Sequence, residues 1–171
     1  MSRPQRQLSL LGTVLAVLAI VLPVALGAAL YLWQRSEQSD AQAARDAERE
    51  LLSAATLETM AWASVDYRKV DEYFGKVEAG ATGDFLTQFK ATEKTLRTLL
   101  VDNESVQVPT IPKGGVGLIE RNGSSARVLV AMDATVSNKS TKSPQPRQYR
   151  IQLTLNEVKG KWLVSNLEFV S

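Results

Sequence analysis

The chain has 171 residues and a mass of 18.7 kDa, enough for one ordinary domain and a short appendage. It contains no cysteine and no histidine, which excludes disulfides, thiolate nucleophiles and the triads that need an imidazole. Carboxylate-based chemistry stays possible, and the sequence points to no particular catalytic residue, metal or cofactor. Three of the 20 basic residues precede residue 36 and all 18 acidic residues follow it. The remainder is nearly neutral, which excludes a basic nucleic-acid-binding domain.

The N-terminal part has the composition of a membrane segment. Residues 8–33 carry no charge and would extend about 39 Å as a helix, enough for a hydrocarbon core of roughly 30 Å. Arg3 and Arg6 precede this run, and positive charge there keeps the N-terminus inside. We predict a cytoplasmic tail over residues 1–7 and a single-pass signal anchor over residues 8–33. The rest of the chain would then lie outside the cytoplasm, at the cell membrane.

A cleaved signal peptide is the alternative. Ala25 and Gly27 are small residues ahead of Ala28, where processing could occur. The apolar run is longer than the 7–15 residues usual for a signal peptide, which favours the uncleaved anchor. Both interpretations export the same domain.

The exported part begins with helical patterns. Residues 34–50 suit a helical stalk, and residues 51–171 form the predicted domain. Within this domain, apolar residues spaced by three and four predict helices over residues 51–65, 70–79 and 84–100. The second has Val70, Tyr73, Phe74 and Val77 on one side; the third has a stripe of Phe85, Phe89, Leu96 and Leu99.

Beyond residue 102 the apolar period changes to two, which predicts strands. These cover residues 105–108, 116–121, 126–136, 148–158 and 162–170, with a polar loop over residues 137–148. Helices followed by an antiparallel meander predict an α+β fold, with the helices packed on one face of a curved sheet.

Four stretches of this region occur in the order found in a known family. They are Asp66-Tyr67-Arg68 with Val70-Asp71, Thr82-Gly83-Asp84-Phe85, Thr135-Val136-Ser137-Asn138 with Pro146-Arg147, and Lys161-Trp162-Leu163-Val164 with Leu167-Glu168. On these residues the chain resembles the Mce-associated membrane proteins of actinobacteria, from about residue 50 to the C-terminus. The resemblance implies a cone-shaped domain of the NTF2-like and VirB8-like kind. It also implies a non-catalytic scaffold of an Mce lipid-import complex, with Mce subunits or the permease as partners.

Two groups of side chains are candidates for binding. An acyl chain or sterol could lie among aromatic residues, although the same residues could simply form the core; these are Trp62, Tyr73, Phe74, Phe85, Phe89 and Trp162. Anionic headgroups or an acidic partner could meet a basic hairpin, although a solvated loop would look the same; its residues are Lys139, Lys142, Arg147 and Arg150.

Three other functions stay open. The first is a VirB8-like assembly factor of a conjugation or secretion channel, and the second is a self-contained lipid-binding domain. The third is an NTF2-like enzyme with paired carboxylates, Asp133 with Asp66 or Asp71, for which the sequence offers no defined spacing. We expect Asp133 to lie on the outward face of its strand.

Overall fold

A computed structural model of the chain describes residues 41–141 and 143–170. The chain divides into two units, Met1–Ala47 and Glu48–Ser171. Within the described residues, no helix combines the length and apolar character that crossing a bilayer requires. The predicted tail and anchor, residues 1–33, and the first part of the predicted stalk, residues 34–40, lie outside the described residues, while residues 41–50 of the stalk are helical.

The first helix, α1, covers residues 41–63. It buries every fourth residue over its last turns, Leu51, Ala55, Thr59 and Ala63, each at most 1% exposed. Residues four apart lie on one side of a helix, so this stripe faces the core. The predicted extension to Val65 is wrong, because Val65 pairs with Gln107 in a short strand, β1 (Val65–Asp66).

A 3₁₀ turn (Tyr67–Lys69) leads into α2 (Val70–Ala79), whose bounds and buried side are those predicted. The third helix, α3, covers Gly83–Asp102. Its predicted stripe is wrong at the end, since Leu99 is 53% exposed and Leu100 is buried. A step of four from Leu96 keeps the same face of the helix, whereas a step of three rotates away from it here.

The strands of the described residues form one six-stranded antiparallel sheet. After β1 they are β2 (Val106–Thr110), β3 (Val116–Asn122), β4 (Ser125–Ser137), β5 (Gln145–Val158) and β6 (Lys161–Phe169). The spatial order is β1-β2-β4-β5-β6, and β3 pairs with β4 beside β2. The helices pack on one face of this curved sheet, so the predicted α+β class is confirmed.

Two prolines that lie outside the predicted strands belong to strands in the structure. Pro109 belongs to β2, and Pro146 belongs to β5, which shortens the predicted loop. Val170 donates its N–H to the carbonyl of Arg150, so the backbone of Arg150 points away from β4. The backbone of Pro146, four residues earlier, points the same way as that of Arg150. The missing N–H of Pro146 is therefore not one that would bond to β4, and the β4–β5 pairing stays intact. It also removes a donor from an open sheet edge.

The core lies between the helices and the sheet and follows the predicted alternation. The buried, helix-facing residues of β4 and β5 are Ala126, Val128, Val130, Met132, Ala134, Ile151, Leu153 and Leu155. The intervening residues of β5, such as Gln148, Arg150 and Gln152, are polar and face outward. This polar outer row is typical of an antiparallel sheet with one solvated face.

Candidate functional site

The aromatic residues proposed to line a pocket lie in two core clusters. Tyr73, Phe74 and Phe89 pack together, with ring centroids 5.2 to 6.1 Å apart. Trp162 belongs to the other cluster, against β4 and β5, while Trp62 and Phe85 pack against both. Burial raises the pKa of the Tyr73 hydroxyl to about 12. The ring of Phe85 stacks on that of Phe89 at 6.1 Å. The structure therefore brings together four of the predicted residues and places Trp162 apart from them.

Little space is left between these clusters. The cavity lined by Thr59, Trp62, Val77, Phe85 and Leu153 measures about 10 Å³, which is about the smallest space that holds one water molecule. A lipid lying here would have to displace packed side chains. A binding role for the predicted aromatic residues stays a prediction.

The basic hairpin does not present its charges on one face. Arg147 pairs with the buried Ala134 and so has its side chain on the helix-facing side of the sheet. Arg150 pairs with Ala131 and lies on the outer side, since successive strand residues alternate between faces. Lys139 lies in the loop, where its ammonium donates to the carbonyl of Asp102. Lys142 lies outside the described residues.

The carboxylates of the enzyme alternative also lie apart. Asp133 is exposed on the outer face, as predicted, and accepts a bond of 3.2 Å from Gln148 Nε2. Asp66 accepts a two-pronged pair of 2.8 Å bonds from Arg68, and Asp71 contacts Arg97. Within the described residues, no three acidic, histidine or cysteine side chains gather as metal ligands would. Each of these three aspartates thus has a different polar partner.

A groove of about 340 Å³ opens between β1–β2 and the start of α2. Its lining includes the apolar Val65 and Val108 and the ion pairs Asp66–Arg68 and Glu72–Lys76. The hydrogen bonds from Arg68 hold the pKa of the Asp66 carboxyl below its ordinary value. The site predictions missed this groove, although its charged turn is the Asp66-Tyr67-Arg68 stretch.

The stretches that carry the family resemblance lie at junctions of the fold. Thr82 donates its N–H to the carbonyl of Val164, over 2.8 Å, which joins the α2–α3 loop to β6. Gly83 has a φ of +56°, a conformation that favours glycine. Asn138 accepts from the N–H of Ser140 and shapes the β4–β5 loop. In their contacts these stretches stabilise loops and strand ends.

Sequence reasoning singled out only Trp62 from an aromatic surface at the end of the sheet. Phe169 is 62% exposed, and its ring lies 5.8 Å from that of Trp62 and 6.1 Å from that of Tyr149. Simple alternation from Trp162 and Val164 would place Phe169 on the outer face. An irregularity in the β5–β6 pairing inserts one residue at Ser165, so that Phe169 pairs with the buried Ile151 and faces the helices. The alternation of β6 gave no sign of this inserted residue.

The α+β fold of the domain is similar to that of several solved domains, among them a VirB8 protein. The periplasmic domain of DotI superposes with a TM-score of 0.58 at 12% identity, covering 70% of this chain and 91% of that one. An IcmL-like type IV secretion system protein from Legionella pneumophila gives 0.55 at 16% identity, covering 71% and 91%. The VirB8 protein of Agrobacterium tumefaciens gives 0.53 at 7% identity, covering 69% and 88%. At these identities the likeness concerns the fold alone.

The chain belongs to the family described as "Uncharacterized protein Rv1363c/MT1408-like", whose sequence model matches residues 8–171. Uncharacterized protein Rv1363c of Mycobacterium tuberculosis (strain ATCC 25618 / H37Rv) is 26% identical over 139 residues, covering 81% of this chain and 51% of that protein. Uncharacterized protein Rv1362c of the same strain is 24% identical over 149 residues, covering 87% and 67%. The chain thus spans about half the length of the first relative and two thirds of the second. Association with Mce proteins stays a prediction.

Proposed function

We propose that this protein is a non-catalytic scaffold that stabilises an Mce-type lipid-import complex at the cell membrane. Residues 8–33 would anchor it in the bilayer, with the tail inside, and the domain would contact Mce subunits or the permease outside the cytoplasm. The location rests on the charge pattern of the N-terminal segment. It is also consistent with DotI, whose domain of similar fold is periplasmic.

The observation that carries the proposal is the filled interior. A catalyst of this architecture needs space beside its reacting groups, and the cavity among Thr59, Trp62 and Phe85 measures about 10 Å³. Asp66, Asp71 and Asp133, the acids considered for catalysis, have separate polar partners. A rigid, packed domain with varied exposed surfaces is suited to binding other proteins.

A second candidate is an assembly factor of a conjugation or secretion channel. The likeness of fold to the IcmL-like type IV secretion system protein favours it, at 16% identity. The anchor and exported domain would serve either complex. The resemblance of the four sequence stretches to Mce-associated proteins is our reason for preferring the lipid-import complex.

Affinity purification tests the choice between these candidates. The full-length protein, tagged at its C-terminus, is extracted from its native membranes in mild detergent, and co-purifying proteins are quantified by mass spectrometry. We expect Mce subunits or their permease at an abundance comparable to the bait. Recovery of secretion-channel components instead would favour the second candidate. Recovery of the bait alone, after chemical cross-linking as well, would contradict the scaffold.

A further inference from the structure

Three aromatic rings lie in a row at the end of the sheet, where Phe169 is exposed and Trp62 and Tyr149 are half-buried. Trp62 comes from the end of α1, Tyr149 from β5 and Phe169 from the end of β6, with ring spacings of 5.8 and 6.1 Å. We refer to these three residues as the aromatic platform. Gln107 of β2 joins the end of α1 to β5 beside these rings. Its Nε2 donates to the carbonyl of Ala63, and its Oε1 accepts from the Tyr149 hydroxyl.

The platform has a cation at one end. Arg147 lies two residues before Tyr149 in β5, and side chains two apart share one face of a strand. Arg147 is the only charged residue at neutral pH on the helix-facing side of three described stretches. These stretches are β2, β4 and residues 145–155 of β5. Arg147 is exposed, and no ion pair to it is formed within residues 41–141 and 143–170. An anion approaching these strand positions would therefore meet the guanidinium of Arg147, and none of these positions carries a carboxylate.

The adjoining sheet edge disfavours a peptide strand as the occupant. Beyond the end of β6, the open edge of β5 presents the backbone of Gln148 and Pro146, since Arg150 points to the same side. Pro146 offers no N–H, so an added strand would find one ladder position without a donor. Strand addition depends on such main-chain bonds, whereas an alkyl chain needs none.

We propose that the aromatic platform and Arg147 form a binding site for a single-chain anionic amphiphile of the fatty-acid class. The carboxylate would pair with the guanidinium of Arg147, and the alkyl chain would lie along the rings of Tyr149, Phe169 and Trp62. The row is one ring wide, so it suits a single alkyl chain. The two oxygens of a carboxylate can accept two parallel hydrogen bonds from a guanidinium. The site lies outside the filled interior. This inference deepens the proposed function, because it names a lipid class that a lipid-import scaffold would contact.

Photolabelling tests this site on the full-length protein in phosphatidylcholine nanodiscs. The probe is a laurate that carries a diazirine near its methyl end, and mass spectrometry locates the labelled residues. We expect the label on the aromatic platform. Arg147→Gln should reduce the labelling at least fivefold, whereas Arg150→Gln, on the same strand but the opposite face, should leave it unchanged. Phe169→Ala should reduce the labelling. Leu129→Ala should not, because it removes an exposed apolar side chain from the outer face of the sheet, opposite to Phe169.

Further arms separate the possible results. The matching dodecanol probe has no charge, so its labelling should be weak and indifferent to Arg147→Gln. Equal labelling of the Arg147 and Arg150 variants, or label concentrated elsewhere in the described domain, would overturn the proposal. If a co-purified protein were cross-linked to Phe169 and the lipid probe left no label there, the lipid-site proposal would be overturned. The surface would then be a protein-docking surface. Co-purification of Mce subunits despite failed labelling would leave the scaffold standing and reject only the lipid site.

Discussion

At the residue scale, Glu58 is the acidic side chain with the least favourable surroundings among those described here. Its carboxylate lies directly over Gly80 at the end of α2, where a side-chain Cβ would come within 1.3 Å of Oε2. Trp62, Phe85 and Leu153 line the adjoining interior, and Glu50 and Lys161 line a shallow depression on its other side. Desolvation by this burial raises the pKa of the Glu58 carboxyl above its ordinary value of 4.5. Holding Glu58 ionised at neutral pH therefore costs stability.

We expect Glu58→Gln to be more stable than the wild type at pH 7. The unfolded carboxyl titrates near 4.5 and the folded one at higher pH, so between these values the folded state binds more protons. The free energy of unfolding falls as the pH rises through this window and stays lower above it. The advantage of Glu58→Gln should shrink as the pH falls and vanish below about 4.5. Urea denaturation of the full-length protein at pH 7 and pH 4 measures this difference.

The matched control is Glu72→Gln. Glu72 is exposed, and its hydrogen bond from Lys76 lowers the pKa of the carboxyl. Its small contribution is present above the ordinary pKa and lost as the pH falls through the folded value, which is the opposite sign. If the stability difference between Glu58→Gln and the wild type were the same at both pH values, the burial argument would be wrong.

At the scale of elements, α2 is a helix that packing stabilises although Gly75 within it has a low helix propensity. Its buried side chains, Val70, Tyr73, Phe74 and Val77, face α3 and the sheet, while Gly75 lies on the exposed side. Arg97 of α3 stacks over the ring of Phe74 at 4.9 Å and pairs with both Asp71 and Glu93. These contacts hold the helix together around a residue that favours the unfolded chain.

We expect Gly75→Ala to stabilise the domain by about 1 kcal/mol, because alanine in a helix interior is better than glycine by that amount. In the part of the chain that the structure describes, no atom outside the helix lies within 4 Å of the added Cβ. The midpoint of thermal unfolding, followed by circular dichroism, should rise by about 4 °C.

Gly115→Ala provides the contrasting variant. Its Cβ would lie 2.7 Å from the carbonyl oxygen of Ala131 and 2.9 Å from that of Pro112, and both belong to the backbone. We expect a loss of about 1–3 kcal/mol, as for other overpacked sites. A Gly75→Ala protein that melts at or below the wild-type temperature would refute the view that this side of α2 is free.

Much of the element order could be predicted from the sequence, because period and burial agree over long stretches. The bounds of α2 and the inward rows of β4 and β5 follow from spacing alone. The errors occur where spacing is interrupted by contacts distant in sequence. Val65 leaves the helical pattern because β2 offers it a partner, and Phe169 changes face because one residue is inserted at Ser165. Only the paired strands reveal such events.

The candidate site was harder to predict than the fold. The aromatic residues singled out in the sequence mainly fill the core, as Phe74 and Phe89 do. The residues of the aromatic platform come from α1, β5 and β6, and no local pattern links them. The basic hairpin looked like one patch, yet strand alternation places Arg147 and Arg150 on opposite faces.

At the scale of the whole molecule, the domain combines a sealed core with several different exposed surfaces. These are the groove beside α2, the polar outer face of the sheet and the aromatic platform. With the proposed anchor, such a domain would act by holding its partner proteins together at the membrane. Its removal should therefore reduce the amount of the complex and not simply the turnover of a substrate.

The most direct test is the abundance of the Mce complex in membranes of a strain lacking this protein. The proposal predicts that Mce subunits fall at least threefold by quantitative mass spectrometry while their transcripts stay unchanged. The full-length protein should restore them when it is supplied in trans, and a version lacking residues 51–171 should not. Unchanged subunit levels and unchanged lipid uptake in the deletion strain would contradict the central claim.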